Sequence, residues 1–158
     1  MEDKNIVDIK TKIASLSVAE FIVEEQAKKV SIDVDTVLYE YNVSANIDKA
    51  KKNVTIDCKI GIYYNKEKDL KLGSIATIGI FDILNLDEIL EKFDDNIPIG
   101  IFHMFLGVVI STTRGFLLSK AENTPLEGAT IPIIDIKSFF KSGGIASIDS
   151  EIVSGSKD

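Results

Sequence analysis

His103 and Arg114 are the residues most suited to chemistry: the chain has one histidine, and the arginine follows it eleven residues later in the same apolar stretch. Eleven residues bring a helix back to nearly the same side, so imidazole and guanidinium together could bind an anion or pass a proton. No serine, cysteine or carboxylate sits at a fixed offset to complete a nucleophilic or acid–base set. The spacing therefore predicts a structural pair, satisfied by carboxylates or carbonyls at a subunit interface, because buried cations need partners. Cys58, the single cysteine, falls mid-strand on an apolar face, where a thiol acts as a small core group. One cysteine and one histidine exclude an internal disulfide and leave no complete Cys/His zinc site. There is no G-x-G-x-x-G, P-loop or H-E-x-x-H pattern. Asp33, Asp35 and Glu40 are spaced as solvated strand charges. The reading is of a protein without catalytic residues, metal or cofactor, and so not an enzyme.

Charge narrows the partners. A net charge of −7 argues against nucleic acid, which needs a basic face to displace counterions from phosphates. The same charge disfavours an anionic membrane surface and suits basic partners, including positively charged unfolded segments. The opening MEDKNIVDIK has no basic region followed by an apolar core, so a cytoplasmic protein is expected.

Around these residues the pattern predicts an α+β domain over residues 1–140, with 141–158 as a flexible, acidic, Gly/Ser-rich tail. Strands are expected over 13–25, 30–45, 54–64 and 70–84. In the third, Val54, Ile56, Cys58, Ile60, Ile62 and Tyr64 alternate with Thr55, Asp57, Lys59, Gly61 and Tyr63, which is the period of a strand with one packed face. Short turns and no intervening helices favour a four-stranded antiparallel sheet, a meander or Greek-key-like arrangement, over βαβ units. A short helix over 85–93 and a long one over 97–120 follow. Asp94 and Asp95 are placed near the start of the long helix, with Asn96 as its N-cap and Pro98 in its first turn. A last helical turn is expected from Asp135.

The long helix is apolar on almost every side, from Ile99 through Ile110. A surface helix shows one apolar stripe, so this one must be covered twice: by the sheet and by something else. Its glycines, its histidine and the lack of flanking aromatic belts argue against a membrane span. At 100° per residue Gly100, Gly107, Ser111 and Gly115 fall within roughly 80°, a strip of small residues against which another helix can pack. Gly100, His103, Gly107, Ser111 and Arg114 are thus candidate interface residues of a homo-oligomer, a dimer or tetramer. On the sheet, Phe21, Tyr39, Tyr41, Tyr63 and Phe81 supply rings suited to a surface that meets both water and apolar partners.

The order of features is similar to a known family. "LGSIATIGIFDILNLDEI", then "NIPIGIFHMFLGVVISTTRGF", then "IPIIDIKSFF" resembles the SecB export chaperones. The matching pieces are Gly79–Phe81 with Ile83 and Asn85, Pro98 and Phe102, Arg114 to Phe116, and Pro132 with Asp135 and Phe139. The resemblance spans roughly 13–140. It implies a four-stranded antiparallel sheet backed by helices, and an assembly with the long helices at its centre. It also implies ATP-independent holding of unfolded or extended apolar polypeptide, in protein export. Two departures stand out. Gly115–Phe116–Leu117 replaces the family's Gly-Phe-Pro, so the long helix runs on, and the connection after the first strand reads as short and polar. The alternative is an oligomeric scaffold with a dedicated folded partner and no client binding.

Overall fold

The computed structural model describes residues 8–141, 146–148 and 153–154. Four long strands, β1 (Thr11–Val23), β2 (Val37–Asp48), β3 (Asn53–Tyr64) and β4 (Glu67–Ile83), form an antiparallel sheet in the order β1-β4-β3-β2. The helices α1 (Leu86–Lys92), α2 (Ile99–Ala121) and α3 (Ile136–Lys141) follow, with a two-residue strand β5 (Ile97–Pro98) ahead of α2. The expected α+β class and four-stranded antiparallel sheet hold.

β2, β3 and β4 are joined by tight hairpins. At the first, the Lys51 amide donates to the Asp48 side chain at 2.9 Å, and Lys52 adopts φ 52°. β1 does not continue this meander. Residues 24–36 carry the chain across the sheet so that β1 pairs with β4, a Greek-key winding. The connection expected to be short is therefore a crossover. It contains a 3₁₀ turn over Glu25–Lys29 that buries Ala27. The strand expected from Val30 begins only at Val37. Val30, Ile32 and Val34 do alternate, but at the far end the Asp33 amide donates to Thr36 Oγ1 and the Asp35 amide to Asp33 Oδ1. This local turn chemistry outcompetes a ladder.

One face of the sheet is apolar and carries α2. Val43, Cys58 and Thr77 lie side by side across three strands, as do Tyr41, Ile60 and Ile75. In β1 the register skips Ala14 and Ala19, so Leu16, Val18, Phe21 and Val23 all oppose β4 residues of that face. Each skipped residue is a bulge that resets the period of two. α2 approaches the sheet closely at Gly79, where an added Cβ would lie 2.6 Å from Val109 Cγ2. Beside it Phe81 stacks on Phe105, with centroids 4.3 Å apart and planes 13° from parallel.

The start of α2 differs from expectation. Asp94 and Asp95 sit in the left-handed region and close α1, the Asp95 amide donating to Leu90 O. Pro98, not Asn96, is the N-cap residue. A residue before proline is kept out of the helical region, which holds Ile97 extended and delays the helix. At its other end α2 does run on through Phe116 and Leu117 to Ala121. By length and composition α2 could cross a bilayer, with a mean hydropathy of 1.6, while 44% of that stretch is buried in the fold.

Most of the expected tail, 141–158, lies outside the described residues. Two pieces of it are paired: β6 (Ala146–Ile148) lies parallel to β2, and β7 (Val153–Ser154) parallel to β5.

Candidate polypeptide-binding surface

The five aromatic residues read as a client surface do not share one exposed face. Phe21, Tyr39, Tyr41 and Phe81 point to the helix side of the sheet, and Tyr63 to the other. Phe81 is 2% exposed beneath Phe105. Tyr41 is buried, with Phe139 of α3 edge-on to it at 5.1 Å. Tyr39 and Phe21 are half-buried against the same core. Tyr63 lies over Gly61, its Cε2 2.7 Å from where a Cβ would stand. Phe81 and Tyr41 are thus packing residues in this chain: they share a register face with the core, which is the signal that marks them as such.

Burial governs the ionisable groups of this side. It pushes the Tyr39 and Tyr41 hydroxyls up to about 12, with the Thr130 backbone opposing it at Tyr39. At Tyr41 the neighbouring Cys58 adds to the rise and Arg114 opposes it. Burial alone takes the Cys58 thiol to about 12, which suits a core group and no nucleophile.

His103 and Arg114 do share one side of α2, and that side meets the chain's own segment after the helix. Arg114 Nε donates to Ile131 O at 2.7 Å, and Nη2 to Pro132 O at 2.8 Å. The cation is satisfied by carbonyls, as expected, but within the protomer. Burial, then the charge of Lys137, lowers the His103 pKa, with Asp135 opposing. Gly107 also faces this segment, 3.3 Å from Ile136 Cδ1 at its would-be Cβ. An Arg114→Ala variant should lose about 1–3 kcal/mol through its unpaired carbonyls. Hydrogen exchange should quicken over residues 131–139 while the sheet amides stay protected.

The rest of the predicted strip is open. Among the described residues, nothing outside the helix's own turn lies within 4 Å of a Cβ built at Gly100 or Gly115, and Ser111 is exposed. Met104 (45% exposed) and Leu118 (52%) lie along the same line. At its N-terminal end the strip meets an apolar hollow of about 290 Å³, lined by Ile9, Phe93, Pro98, Gly100, Ile101 and Met104. The sequence gives no signal for this hollow, since it is assembled from the N-terminal segment, the end of α1 and the first turns of α2. It offers space for one or two apolar side chains and no polar anchor. Among the described residues there is no cluster of metal-ligating side chains.

A four-stranded antiparallel sheet with one long helix across its face, and short helices beside it, defines an α+β fold of the SecB-like type. Among solved structures the chain is similar to the Mycobacterium tuberculosis Rv1957 SecB-like chaperone, in complex with a ChAD peptide from the Rv1956 HigA1 antitoxin. That match has a TM-score of 0.52 and 12% identity, covering 79% of this chain and 88% of the other. A protein of unknown function from Streptococcus agalactiae matches at a TM-score of 0.37 and 10% identity, covering 80% and 100%. No family model and no curated protein matches the sequence.

Proposed function

We propose that this chain is an ATP-independent holdase that binds unfolded or extended apolar polypeptide segments, acting as a cytoplasmic homo-oligomer that does not span a membrane. The observation that carries this reading is the shared fold with a SecB-like chaperone that holds a peptide. The open apolar strip and hollow on α2 support it, because contiguous exposed apolar surface marks sites of protein association. The chain's negative charge favours basic unfolded segments. The purified protein should delay aggregation of a chemically unfolded model protein at near-stoichiometric ratios, followed by light scattering without nucleotide. Unchanged aggregation across several clients would sink the proposal.

The covering of Tyr41 and Phe81 favours a second reading, in which the oligomer is a scaffold for one dedicated folded partner. A pull-down that recovers one stoichiometric folded protein and no unfolded clients would select it.

A further inference from the structure

Twelve residues of β2 form one border of the four-stranded sheet, and only Val43–Ala45 carry a further strand among the described residues. That strand is β6, a three-residue piece of the chain's own C-terminal segment in parallel register: Val43 opposite Ala146, Ser44 opposite Ser147, Ala45 opposite Ile148. Among the described residues no strand pairs with the rest of the border, Val37–Asn42 on one side and Asn46–Asp48 on the other, and its outward backbone donors and acceptors suit an extended chain. A three-residue ladder is small compared with what the strand can hold, since each added residue of pairing contributes its own hydrogen bond.

The shortness of this ladder makes the resident segment easy to displace. β6 itself, Ala146–Ser147–Ile148, has no charged residue and lies opposite Val43, Ser44 and Ala45, which are uncharged too. Glu40 is exposed on β2 itself, outside the part of the border that β6 pairs with. An entering strand with a basic residue opposite Glu40 would gain a cross-strand ion pair that β6 does not make. The two rows beside the border differ in chemistry: Tyr39, Tyr41 and Val43 on the helix side, Leu38, Glu40 and Asn42 on the other. An entering strand that alternates apolar with basic or hydroxyl residues fits both rows.

We propose that the outer border of β2 is a strand-addition site for extended polypeptide, and that β6 is an internal occupant which an incoming segment displaces. This rests on the polypeptide-binding reading and assigns it a location. The site is a backbone ladder, so it selects by extended conformation and side-chain alternation rather than by a fixed sequence. Its affinity is reduced by the fraction of molecules in which β6 is docked.

The test uses two full-length variants and a fluorescein-labelled peptide of alternating valine, lysine and threonine, as long as β2, read by anisotropy. In A146P/S147P, β6 loses one backbone donor of each parity, and the peptide should bind about threefold or more tightly than to the native chain. In S44C/S147C, the partners stand directly across the ladder, where neighbouring strands lie about 4.8 Å apart, within disulfide reach. Oxidation should weaken binding about tenfold or more by holding β6 in place, and dithiothreitol should restore it. Equal affinity of native, released and oxidised forms overturns the strand-addition site while leaving holding activity intact. If no form binds the peptide and the native chain also fails to delay aggregation, the holdase reading itself falls.

Discussion

Replacing Phe81 with alanine should cost about 3–5 kcal/mol of folding stability, the range for emptying a large aromatic site in a core. The ring is fully enclosed: stacked on Phe105 of α2, beside Val54 across the β3–β4 ladder, and next to Gly79, where helix and sheet touch. Part of the loss is the aromatic pair itself, worth about 0.5–1.5 kcal/mol beyond its buried area. Urea unfolding followed by circular dichroism measures it. Phe21→Ala, at a half-buried position on the bulged edge strand, should cost distinctly less. A Phe81 variant of native stability with lost client binding would return this ring to the binding surface and contradict its place in the core.

A Ser111→Arg chain should be monomeric under conditions in which the native chain associates as proposed. Ser111 is exposed at the middle of the strip that runs from Gly100 to Leu118, so the substitution disturbs nothing inside the protomer. A Cβ at Gly100 or Gly115 would meet no other described part of the chain within 4 Å, so their lack of a side chain serves no packing among the described residues. Between two such helices, an arginine would bury an unpaired charge at a cost of several kcal/mol. Association should weaken by about a hundredfold or more, as about 3 kcal/mol requires. Light scattering on both chains, with thermal unfolding of the variant as the control for folding, decides it. A native chain that is a monodisperse monomer would contradict the expectation outright.

Where one face of an element was packed, its sequence could be read almost residue by residue. β3 shows this best, because its alternating face is buried from Val54 to Ile62 and its neighbours are hairpin partners close in sequence. The apolarity of α2 likewise announced that the sheet covers one side of it. Three things were hidden for physical reasons. The 30–36 stretch has the alternation of a strand, yet side-chain hydrogen bonds from Asp33 and Thr36 turn it aside. The bulges at Ala14 and Ala19 invert the parity of β1, and parity is all that a sequence shows of facing. The pairing of β1 with β4 depends on contacts distant along the chain, to which local pattern is blind. The site was legible only in its small residues. Gly100, Gly115 and Ser111 are open as their spacing implied, whereas Arg114 found carbonyls of a loop that carries no motif. Tyr41 and Phe81 misled because a ring fits a core and a surface equally well, and which face of the sheet was covered decided between them.

The crossover from β1 to β2 also sets an order in time. Hairpins between β2, β3 and β4 can close within microseconds once their residues exist. β1 leaves the ribosome first but has no partner until β4 follows, and its Thr11 hydroxyl finally donates to Asp82 O, 71 residues on. At roughly 5–20 residues per second, β1 waits on the order of several seconds as an unpaired strand. During that interval the nascent chain carries an extended apolar segment, Ile13–Val23, of the very kind that the finished protein is proposed to hold.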